Sequence, residues 1–493
     1  MESILQSILD FLWGLPLIFT ILFTGFYLTI RSGFFQFRFF NHIMKNTLGK
    51  VFKNKNSKDS TGKGILSPLQ AVSTAIGGSV GVGNIGGVAT AIATGGPGAI
   101  FWMWLCSLIG MIIKATEVTL AVYYRNTDEE GNPYGGPTYY IEKGLGHEKG
   151  FKIWWIFALI FGLGIFGTFF ITLQNYTVSE ALNATFNIGM IPSSLIYFGF
   201  TYVMIFGGIK GLGKIAGKIV PFMCAFYVIC SFLIILFNIT QIPSALVLIF
   251  KSAFTGTAAI GGFAGAAVSQ VIRLGVSRSV FSNEAGWGTS PMIHSTAITD
   301  HPIKQGLWGA FEVFVDTGIV CTVTALTIII TGQWSSGLTG ASLTLSAFEV
   351  GIGSLGKIIL TIGIFLFGIT TSSGWYSYYE ILLRHAFKNN IEIKNKILKL
   401  YKPLYPIPGL VMVLYATYFG LPGQTVWIFA DISSAIPTFI NVAAILLLSN
   451  EFFKLLKDYK ARYLGIGKVD PSFPLFYEDK IKNNKKVKDT VNL

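Results

Sequence analysis

A glycine-rich stretch inside an apolar segment, residues 77–104, restricts how this chain can fold more than any other feature. Its sequence is GGSVGVGNIGGVATAIATGGPGAIFWMW, with glycines at 77, 78, 81, 83, 86 and 87 around Asn84. Glycine loosens a helix because it gives up the most backbone freedom on folding and carries no side chain to shield the hydrogen-bond ladder. A membrane helix can break only where the freed amides and carbonyls line a protein cavity, and such breaks mark the binding sites of secondary transporters. The stretch therefore predicts a helix that is interrupted at a binding site within the membrane.

The composition is typical of a polytopic membrane protein. Of the 493 residues, 52% are hydrophobic and 12% are charged, with a mean hydropathy of +0.59, whereas soluble domains carry about 25% charged residues. The net charge of +13 comes from a few loops and the tail, a distribution typical of cytoplasmic loops and not of a nucleic-acid-binding surface. The histidines and cysteines form no HExxH or CxxC motif, so the sequence does not support metal catalysis.

Apolar stretches between charged or Gly/Pro-rich loops predict eleven membrane spans in an all-α protein. The first is long enough to span the membrane and is expected to be retained, since no small-residue cleavage site follows it. Two further apolar features, 34–49 and 340–350, are expected to lie flat or partly buried. Aromatic residues near span ends, Trp13 and Tyr405 among them, are interpreted as an interfacial belt. The predicted spans are 11–30, 65–94, 97–124, 152–186, 192–208, 212–238, 260–298, 305–332, 354–387, 403–419 and 424–450.

The Lys/Arg distribution predicts the orientation. Basic residues are concentrated after the first span, between the fifth and sixth, and after the ninth. The segments on the opposite side contain only Lys251 and Glu349 as charged residues. The positive-inside rule then places the N-terminus outside and the C-terminus in the cytoplasm of a multi-pass protein in the cell (inner) membrane. The basic tail, 451–493, is expected on the cytoplasmic surface or loosely ordered.

A second interrupted segment lies five spans after the first, within SNEAGWGTSP (282–291). Breaks at corresponding positions of two halves predict a five-plus-five inverted repeat, preceded by one extra helix. This divides the chain into an N-terminal helix with a basic loop, two repeats and a tail, with bounds 1–64, 65–258, 259–450 and 451–493. Glycines that only allow close helix packing are the alternative explanation for each break.

Half-helix ends at two such breaks suit a small zwitterion. The N-terminal ends carry partial positive charge that favours a carboxylate, and the C-terminal ends with their loose carbonyls favour an ammonium group or Na⁺. No P-loop is present, so the sequence predicts a secondary transporter driven by an ion gradient.

Four motifs carry a resemblance to a known family. GVGNIGG (81–87) followed by GGPGAIFWMWLCSLIG (95–110), then FSNEAGWGTSP (281–291) and TTSSGWYSYYE (370–380), closely resemble the alanine-or-glycine:cation symporter family. The resemblance covers essentially the whole chain. It implies a LeuT-like fold of the APC superfamily and Na⁺-coupled uptake of alanine or glycine. No cofactor is implied apart from the co-transported Na⁺, and no obligate protein partner is evident.

The resemblance to LeuT-type symporters also implies site residues. The Na⁺ ligands would be backbone carbonyls before the first break together with a carbonyl and two hydroxyls of core helix 8, namely Gly77, Val80, Gly368, Thr371 and Ser372. Oxygen ligands suit such a hard cation. Amides near Gly83 and Asn84 would receive the substrate carboxylate, and Ser79, Phe281 and Ser282 would receive its ammonium group. Gln174 would contact the substrate, and Trp375 would close a pocket with room for about a methyl group.

Charged residues inside the membrane leave further alternatives open. Glu312 and Asp316 share a helix face and could relay protons, or could pair structurally with Arg273, Arg278 or backbone amides. Lys114 and Glu117 are expected to form a local ion pair. Glu284 could cap a half-helix or bind substrate, and Asp431 could act as a gate or simply bond a neighbour. A proton-coupled permease and an intramembrane enzyme are the alternative functions, the latter disfavoured because no catalytic set is placed at matched depth.

Overall fold

The computed structural model describes residues 2–53, 64–170, 173–255, 268–421 and 423–482. Nearly all of this is helical. By length and apolar composition, eight of the described helices can cross a membrane, or up to nine if one bent pair counts as a single span. The predicted count of eleven therefore stays a prediction. The start of the predicted span 260–298 and the boundary between the two predicted repeats lie outside the described residues.

The N-terminal region packs against the C-terminal helix of the chain. Its helices are α1 (Glu2–Leu12), α2 (Leu15–Arg31), α3 (Phe35–Arg38), α4 (Phe40–Asn46) and α5 (Leu48–Lys53). Trp13, between α1 and α2, is 1% exposed and donates its indole N–H to the Asp431 carbonyl at 2.9 Å. The interpretation of Trp13 as an interfacial-belt residue is therefore wrong, because its polar atom is satisfied inside the protein.

The first predicted break is present. Helix α6 (Pro68–Ser79) begins at a capping box of Ser67 and Gln70 and ends where Val80 adopts an extended conformation. A π-helical turn, Gly83–Gly87, then leads into α7 (Val88–Gly95), and the two halves are bent by 48°. Irregular backbone of this kind is tolerated at membrane depth only where protein surrounds it, and every residue from 71 to 92 is buried.

The first half continues through helices that cross or border the membrane. They are α8 (Ala99–Tyr123), α9 (Pro137–Tyr140) with a π-helical extension (Ile141–Glu148), α10 (Trp154–Phe170), α11 (Leu173–Phe186), α12 (Met190–Ile205), α13 (Gly208–Phe237) and α14 (Ile242–Thr255), the last preceded by a 3₁₀ turn (Ile239–Gln241). Between α8 and α9, strands β1 (Asn126–Thr127) and β2 (Pro133–Tyr134) form a short antiparallel hairpin.

The second break separates α15 (Val268–Asn283) from the short α16 (Ser290–His294). Three residues between them, Glu284, Gly286 and Gly288, have φ values of +56°, +91° and +86°. L-residues other than glycine rarely adopt such values. The glycines therefore supply a reversal of the backbone that a helix cannot contain, and Glu284 is held in it by its surroundings.

The chain after the second break is also mostly helical. Its elements are α17 (Pro302–Val313) with a π-helical segment (Phe314–Cys321), α18 (Thr322–Ile330), a 3₁₀ turn (Gln333–Ser335), α19 (Gly340–Ile352), α20 (Ser354–Ala386), α21 (Ile391–Leu404), α22 (Ile407–Phe419) and α23 (Gly423–Leu464). The first broken helix packs on α13 and α20, while α8 packs on α15 and α17. The two breaks thus lie in the interior of the helical assembly.

The C-terminal segment is more ordered than predicted. Helix α23 runs to Leu464, and Tyr477 further on is buried against Tyr123 and Tyr124 at the end of α8. Lys480 adds an ion pair with Glu148 at 2.5 Å. The expectation of a loosely ordered tail is wrong for this described part, because its aromatic side chains bury apolar area against the loop after α8.

Candidate functional site

The first break packs tightly on one face of α20. A methyl group added at Gly81 would collide with the Thr371 hydroxyl, and one added at Gly374 would lie 2.7 Å from the Gly78 Cα. Only glycine permits such an approach of two backbones. Close packing and an interrupted helix therefore occur together in this segment, and the two explanations offered by the sequence are not exclusive.

Thr371 is the predicted ion ligand that the structure places at the break. Among the described residues its buried hydroxyl oxygen has no hydrogen-bond partner, an arrangement that costs about 1–3 kcal/mol when no ligand compensates. Val80, also predicted as a ligand, forms the end of α6 beside it. Gly77 lies one turn earlier and packs on Thr370 and Val220. These residues bring main-chain and hydroxyl oxygens together at one end of a half-helix.

The other two predicted ion ligands face a different neighbour. The Ser372 hydroxyl hydrogen-bonds to the Tyr197 hydroxyl at 2.7 Å, and a methyl group at Gly368 would meet Val178 and Tyr197. Both residues therefore face α11 and α12 on the far side of α20 from Gly81. Successive residues of a helix are separated by about 100°, so Thr371 can face the break while Ser372 does not.

Residues of both breaks form hydrogen bonds with one carboxylate, that of Asp316. Asn84 accepts from the Gly81 amide at 2.8 Å and donates to Asp316 Oδ2 at 2.8 Å. Ser282, the last but one residue of α15, donates to Asp316 Oδ1 at 2.6 Å, and Thr317 donates to the same oxygen at 2.9 Å. Asn84, Ser282, Asp316 and Thr317 are all fully buried. Asp316 lies in a π-helical segment, a distortion that is frequent at functional sites.

A second buried cluster of charged and polar residues changes the interpretation of Lys114 and Glu117. Lys114 donates to Ser290 at 2.7 Å and lies 3.7 Å from Glu312, which also bonds His294 at 2.9 Å. Glu117 instead accepts from Asn441 at 2.5 Å. The predicted Lys114–Glu117 ion pair is therefore wrong, because the Lys114 ammonium reaches across to α16 and α17.

The two arginines that were expected to pair with Glu312 and Asp316 have other partners. Arg273 pairs with Asp10, and Arg278 forms a two-pronged ion pair with Asp431 at 2.8 and 2.7 Å. The partners of the two carboxylates are instead lysine, histidine, hydroxyls and an amide, and the choice between a structural role and a proton relay stays a prediction. Both are buried inside the bundle, where an ionic partner or several hydrogen bonds are needed to stabilise a charge.

Glu284 bonds within its own break. Its carboxylate accepts from the Thr289 hydroxyl at 2.6 Å, and Thr289 is the residue directly before α16. The neighbouring Asn283 side chain accepts from the Ala285 amide at 2.9 Å. The loop between the two half-helices is thus fastened from inside by its own polar side chains, and the choice between capping and substrate binding for Glu284 stays a prediction.

A cavity beside the breaks gathers three of the predicted substrate residues. Gln174, Phe281 and Trp375 line a small, partly open cavity. Gly83 contacts this wall from the first break, since a methyl group there would lie 3.2 Å from the Phe281 ring. Asn84 and Ser282 lie behind the wall, in the network around Asp316, and the Ser79 hydroxyl turns back to the Ile76 carbonyl at 3.5 Å.

The cavity has further walls that the sequence did not single out. They are contributed by Thr168, Leu173, Trp287, Tyr379, Tyr405, Ala430 and Ser433. The Trp287 ring contacts Trp375 in a T-shaped arrangement at 5.1 Å and Phe281 at 5.5 Å. Tyr405 is 3% exposed, so its interpretation as a belt residue is wrong. The spacing of Trp375 and Tyr379, one helical turn apart, was the available signal for Tyr379.

The Arg278–Asp431 pair separates this cavity from a larger one. Ala430 lines the first cavity, and the next residue, Asp431, lines the second. On α15, Phe281 lines the first cavity, and Arg278, one turn earlier, lines the second. The larger cavity is also lined by Asp10, Trp13 and Arg273. A buried, two-pronged Arg–Asp pair between two cavities is a suitable barrier, because separating the charges would leave each without its partner.

Comparison with known proteins places these features in a family. The model of the sodium:alanine symporter family matches residues 1–470. The sodium/alanine symporter AgcS of Methanococcus maripaludis is 37% identical, with 91% of this chain and 94% of that protein covered. The probable sodium/glutamine symporter GlnT of Bacillus subtilis is 39% identical over 98% and 96% of the two chains.

A third relative and two solved structures complete the comparison. The putative sodium/proton-dependent alanine carrier YrbD of Bacillus subtilis is 34% identical, with 93% of each chain covered. MhsT in complex with L-phenylalanine has a TM-score of 0.57 at 14% identity, covering 82% of this chain and 97% of MhsT. A Na⁺-coupled sialic acid symporter has a TM-score of 0.50 at 14% identity, covering 92% and 93%. At these identities the structures show the fold alone, which is LeuT-like.

Proposed function

The chain belongs to the sodium:alanine symporter family, and we propose that it couples inward Na⁺ flow to the uptake of a small neutral amino acid, alanine or glycine, by alternating access. Membership of this family identifies a multi-pass, sodium-coupled amino-acid symporter and not an enzyme. The substrate, the direction of transport and the residues that bind are the parts we propose.

One observation carries the proposal: the two broken helices approach each other beside a cavity. Asn84 of the first break and Ser282 of the second bond the same carboxylate, and Phe281 separates Gly83 from the cavity. The cavity therefore lies beside the two breaks, with the Phe281 ring between it and Gly83. Half-helix ends at such breaks attract a carboxylate or a cation according to their polarity.

For Na⁺ we propose the oxygens at the end of α6 and on α20, with Gly77, Val80 and Thr371 as the first candidates. The partnerless Thr371 hydroxyl supports this assignment, since a hard cation prefers oxygen ligands. Gly368 and Ser372 remain proposed ligands, since the Ser372 hydroxyl can donate to Tyr197 and still offer a lone pair to the ion. An ion held between α6 and α20 would join the two elements, which gives a physical basis for coupling.

For the amino acid we propose that amides near Gly83 and Asn84 receive the carboxylate. Carbonyls near Ser79 and Phe281, with Ser282, would receive the ammonium group. Gln174 would contact the substrate. Trp375 would limit the side chain to about a methyl group, because its indole fills one wall of the cavity.

A proton-coupled mechanism is the second candidate, and the buried acidic groups favour it. Glu117, Glu284, Glu312 and Asp316 are each at most 1% exposed, with Lys114 as a shared buried cation. Intramembrane carboxylates of this kind are common in proton pathways. The Na⁺ mechanism remains our first proposal, because it also accounts for the Thr371 oxygen.

Uptake into proteoliposomes distinguishes the two mechanisms. Labelled alanine is supplied outside with Na⁺ or with choline at equal ionic strength, and a pH gradient is imposed in separate samples. We expect accumulation with Na⁺ and little with choline. Full uptake in choline, driven by the pH gradient, would exclude Na⁺ coupling. A panel of unlabelled amino acids as competitors then ranks alanine, glycine and glutamine.

The orientation is proposed from the basic loops alone. With the N-terminus outside, the larger cavity near Trp13 opens to the exterior, and Lys388 and the tail lie in the cytoplasm of a cell-membrane protein. Labelling of single cysteines at the two ends of the chain in intact cells, with an impermeant reagent, tests this arrangement.

A further inference from the structure

Trp287 presents a buried hydrogen-bond donor that no described residue accepts. Its side chain is 2% exposed, and among the described residues its indole nitrogen has no acceptor. The indole N–H is a donor only. Other indoles of the chain find acceptors: Trp13 bonds the Asp431 carbonyl, Trp102 the Ala253 carbonyl and Trp104 the Thr322 hydroxyl.

The backbone around Trp287 holds the ring in place. The Trp287 amide donates to the Glu284 carbonyl at 3.2 Å, which closes a tight turn in the second break. Gly286 and Gly288 on either side have positive φ values, and Asn441 donates to the Gly286 carbonyl at 2.9 Å. Contacts with Phe281 and Trp375 restrict the ring further. The donor is therefore preorganised and not free to rotate towards a partner.

We propose that the Trp287 N–H binds the carboxylate of the transported amino acid. The Trp287 ring lines the cavity that Gln174, Phe281 and Trp375 also line. The Phe281 ring, which lies 5.5 Å from Trp287 between centroids, is the ring that Gly83 contacts. The carboxylate is the only hydrogen-bond acceptor of alanine or glycine at neutral pH, since the ammonium group only donates. The carboxylate is therefore the end of the substrate that the buried Trp287 donor, in the wall of this cavity, can bind.

This role makes Trp287 a substrate-binding residue of the second break. It adds a side-chain donor to the main-chain amides proposed at the first break, so the carboxylate would be held from both broken helices. Closure around the substrate would then depend on a bond that forms only when an amino acid is present. The inference rests on the proposed function, because it takes an amino acid as the ligand of this cavity.

Removal of the N–H with retention of the ring tests the proposal. Alanine uptake at saturating Na⁺ is measured in proteoliposomes for the wild type, for Trp287→Phe and for Trp102→Phe as the matched control, whose N–H lies outside the cavity. We expect the KM for alanine to rise about tenfold in Trp287→Phe, the usual effect of losing one charge-assisted hydrogen bond. The Na⁺ concentration for half-maximal uptake should change less than twofold, and the control should match the wild type.

Two further outcomes are distinguishable. A KM within twofold of the wild type overturns the proposal, as does an equal weakening of alanine and Na⁺ binding, which indicates a merely structural role. If Trp287→Phe does not fold, incorporation of 3-benzothienylalanine at position 287 keeps the bicyclic shape without the N–H, and the same rise in KM is expected. Absence of Na⁺-dependent alanine uptake in the wild type would instead contradict the proposed function.

Discussion

Individual oxygen atoms near the first break show where an ion can be held. The Thr371 hydroxyl faces Gly81 without a partner among the described residues, whereas the adjacent Ser372 hydroxyl is satisfied by Tyr197. The resemblance to known symporters implied both as ligands. It could not distinguish them, because the direction of each side chain depends on which neighbours α20 packs against. A substitution at Thr371 and one at Ser372 should therefore have unequal effects.

Thr371→Ala should weaken Na⁺ binding more than alanine binding. Loss of one oxygen ligand is expected to raise the half-saturating Na⁺ concentration about tenfold, while the KM for alanine at saturating Na⁺ changes little. Thr371→Ser keeps the hydroxyl and serves as the control. Uptake measured against Na⁺ concentration checks this, and equal losses for ion and substrate would contradict the placement of Na⁺.

Trp375→Ala should widen the range of substrates. Removal of the indole enlarges the cavity at the wall shared with Trp287 and Tyr379, so valine or leucine should compete with labelled alanine in the variant. Trp155→Ala, at a side chain that is 54% exposed, controls for the general loss of a tryptophan. Unchanged selectivity in Trp375→Ala would remove Trp375 from the substrate pocket.

The hydrogen-bond partners of Asp316 could not be predicted from the sequence. Its partners Asn84 and Ser282 lie 232 and 34 residues away, so no local pattern indicates that both breaks converge on it. The pairing of Glu312 and Asp316 on one helix face was visible in the sequence. Their partners were not, because Lys114 and His294 reach Glu312 only through the packing of α8, α16 and α17.

The positions of the helices and of their interruptions were easier to predict than the contacts between helices. Local glycine density predicts both interruptions, since the conformational preference of glycine acts within a few residues. The 48° bend of the first broken helix and its close contact with α20 are tertiary features, and glycine content indicated only the general possibility of close packing. The close approach of Gly374 to Gly78 allows that packing to be tested by substitution.

Gly374→Ala should destabilise the protein. The added methyl group would lie 2.7 Å from the Gly78 Cα, a backbone atom that cannot move aside, and overpacking of this kind costs about 1–3 kcal/mol. Gly199→Ala is the matched control, because this helical glycine has open space around it and alanine favours helix there. Thermal unfolding in detergent should show a lower apparent Tm for Gly374→Ala alone. Equal Tm values would contradict the close approach.

At the scale of the whole molecule, the predicted LeuT-like architecture is confirmed by the similarity to solved transporters. The division into two repeats and the count of eleven spans remain predictions. Contacts at the ends of the helices could not be predicted. The loop after α8 does not indicate a membrane orientation, because its charges are mixed in sign. In the structure, Glu142 in that loop bonds His385 at 2.8 Å and also Lys388, at the end of α20.

Glu142→Gln should lower stability at neutral pH and less so in acid. Burial raises the pKa of Glu142, but the bonds from His385 and Lys388 outweigh burial and lower it from 4.5 to about 2. An acid with a lowered folded-state pKa stabilises the protein above its unfolded pKa, and this contribution is lost as the pH falls from 4.5 towards 2. The difference in apparent Tm between wild type and variant should shrink from pH 7 to pH 3.

The exposed Glu392, which pairs only with its neighbour Lys396 one turn away, provides the matched variant Glu392→Gln. A surface pair of that kind contributes little, so its Tm should follow the wild type throughout. A constant difference for Glu142→Gln across the pH range would show that the loop is held by other contacts.

A density map of the protein purified in Na⁺ and alanine tests the central claim most directly. We expect both helices to be interrupted, at residues 80–87 and 284–289, with density for an amino acid in the cavity between Phe281 and Trp375. A second, smaller density should lie within ligand distance of the Thr371 hydroxyl. A map in which both segments run as continuous helices, or in which alanine binds away from the two breaks, would contradict the account.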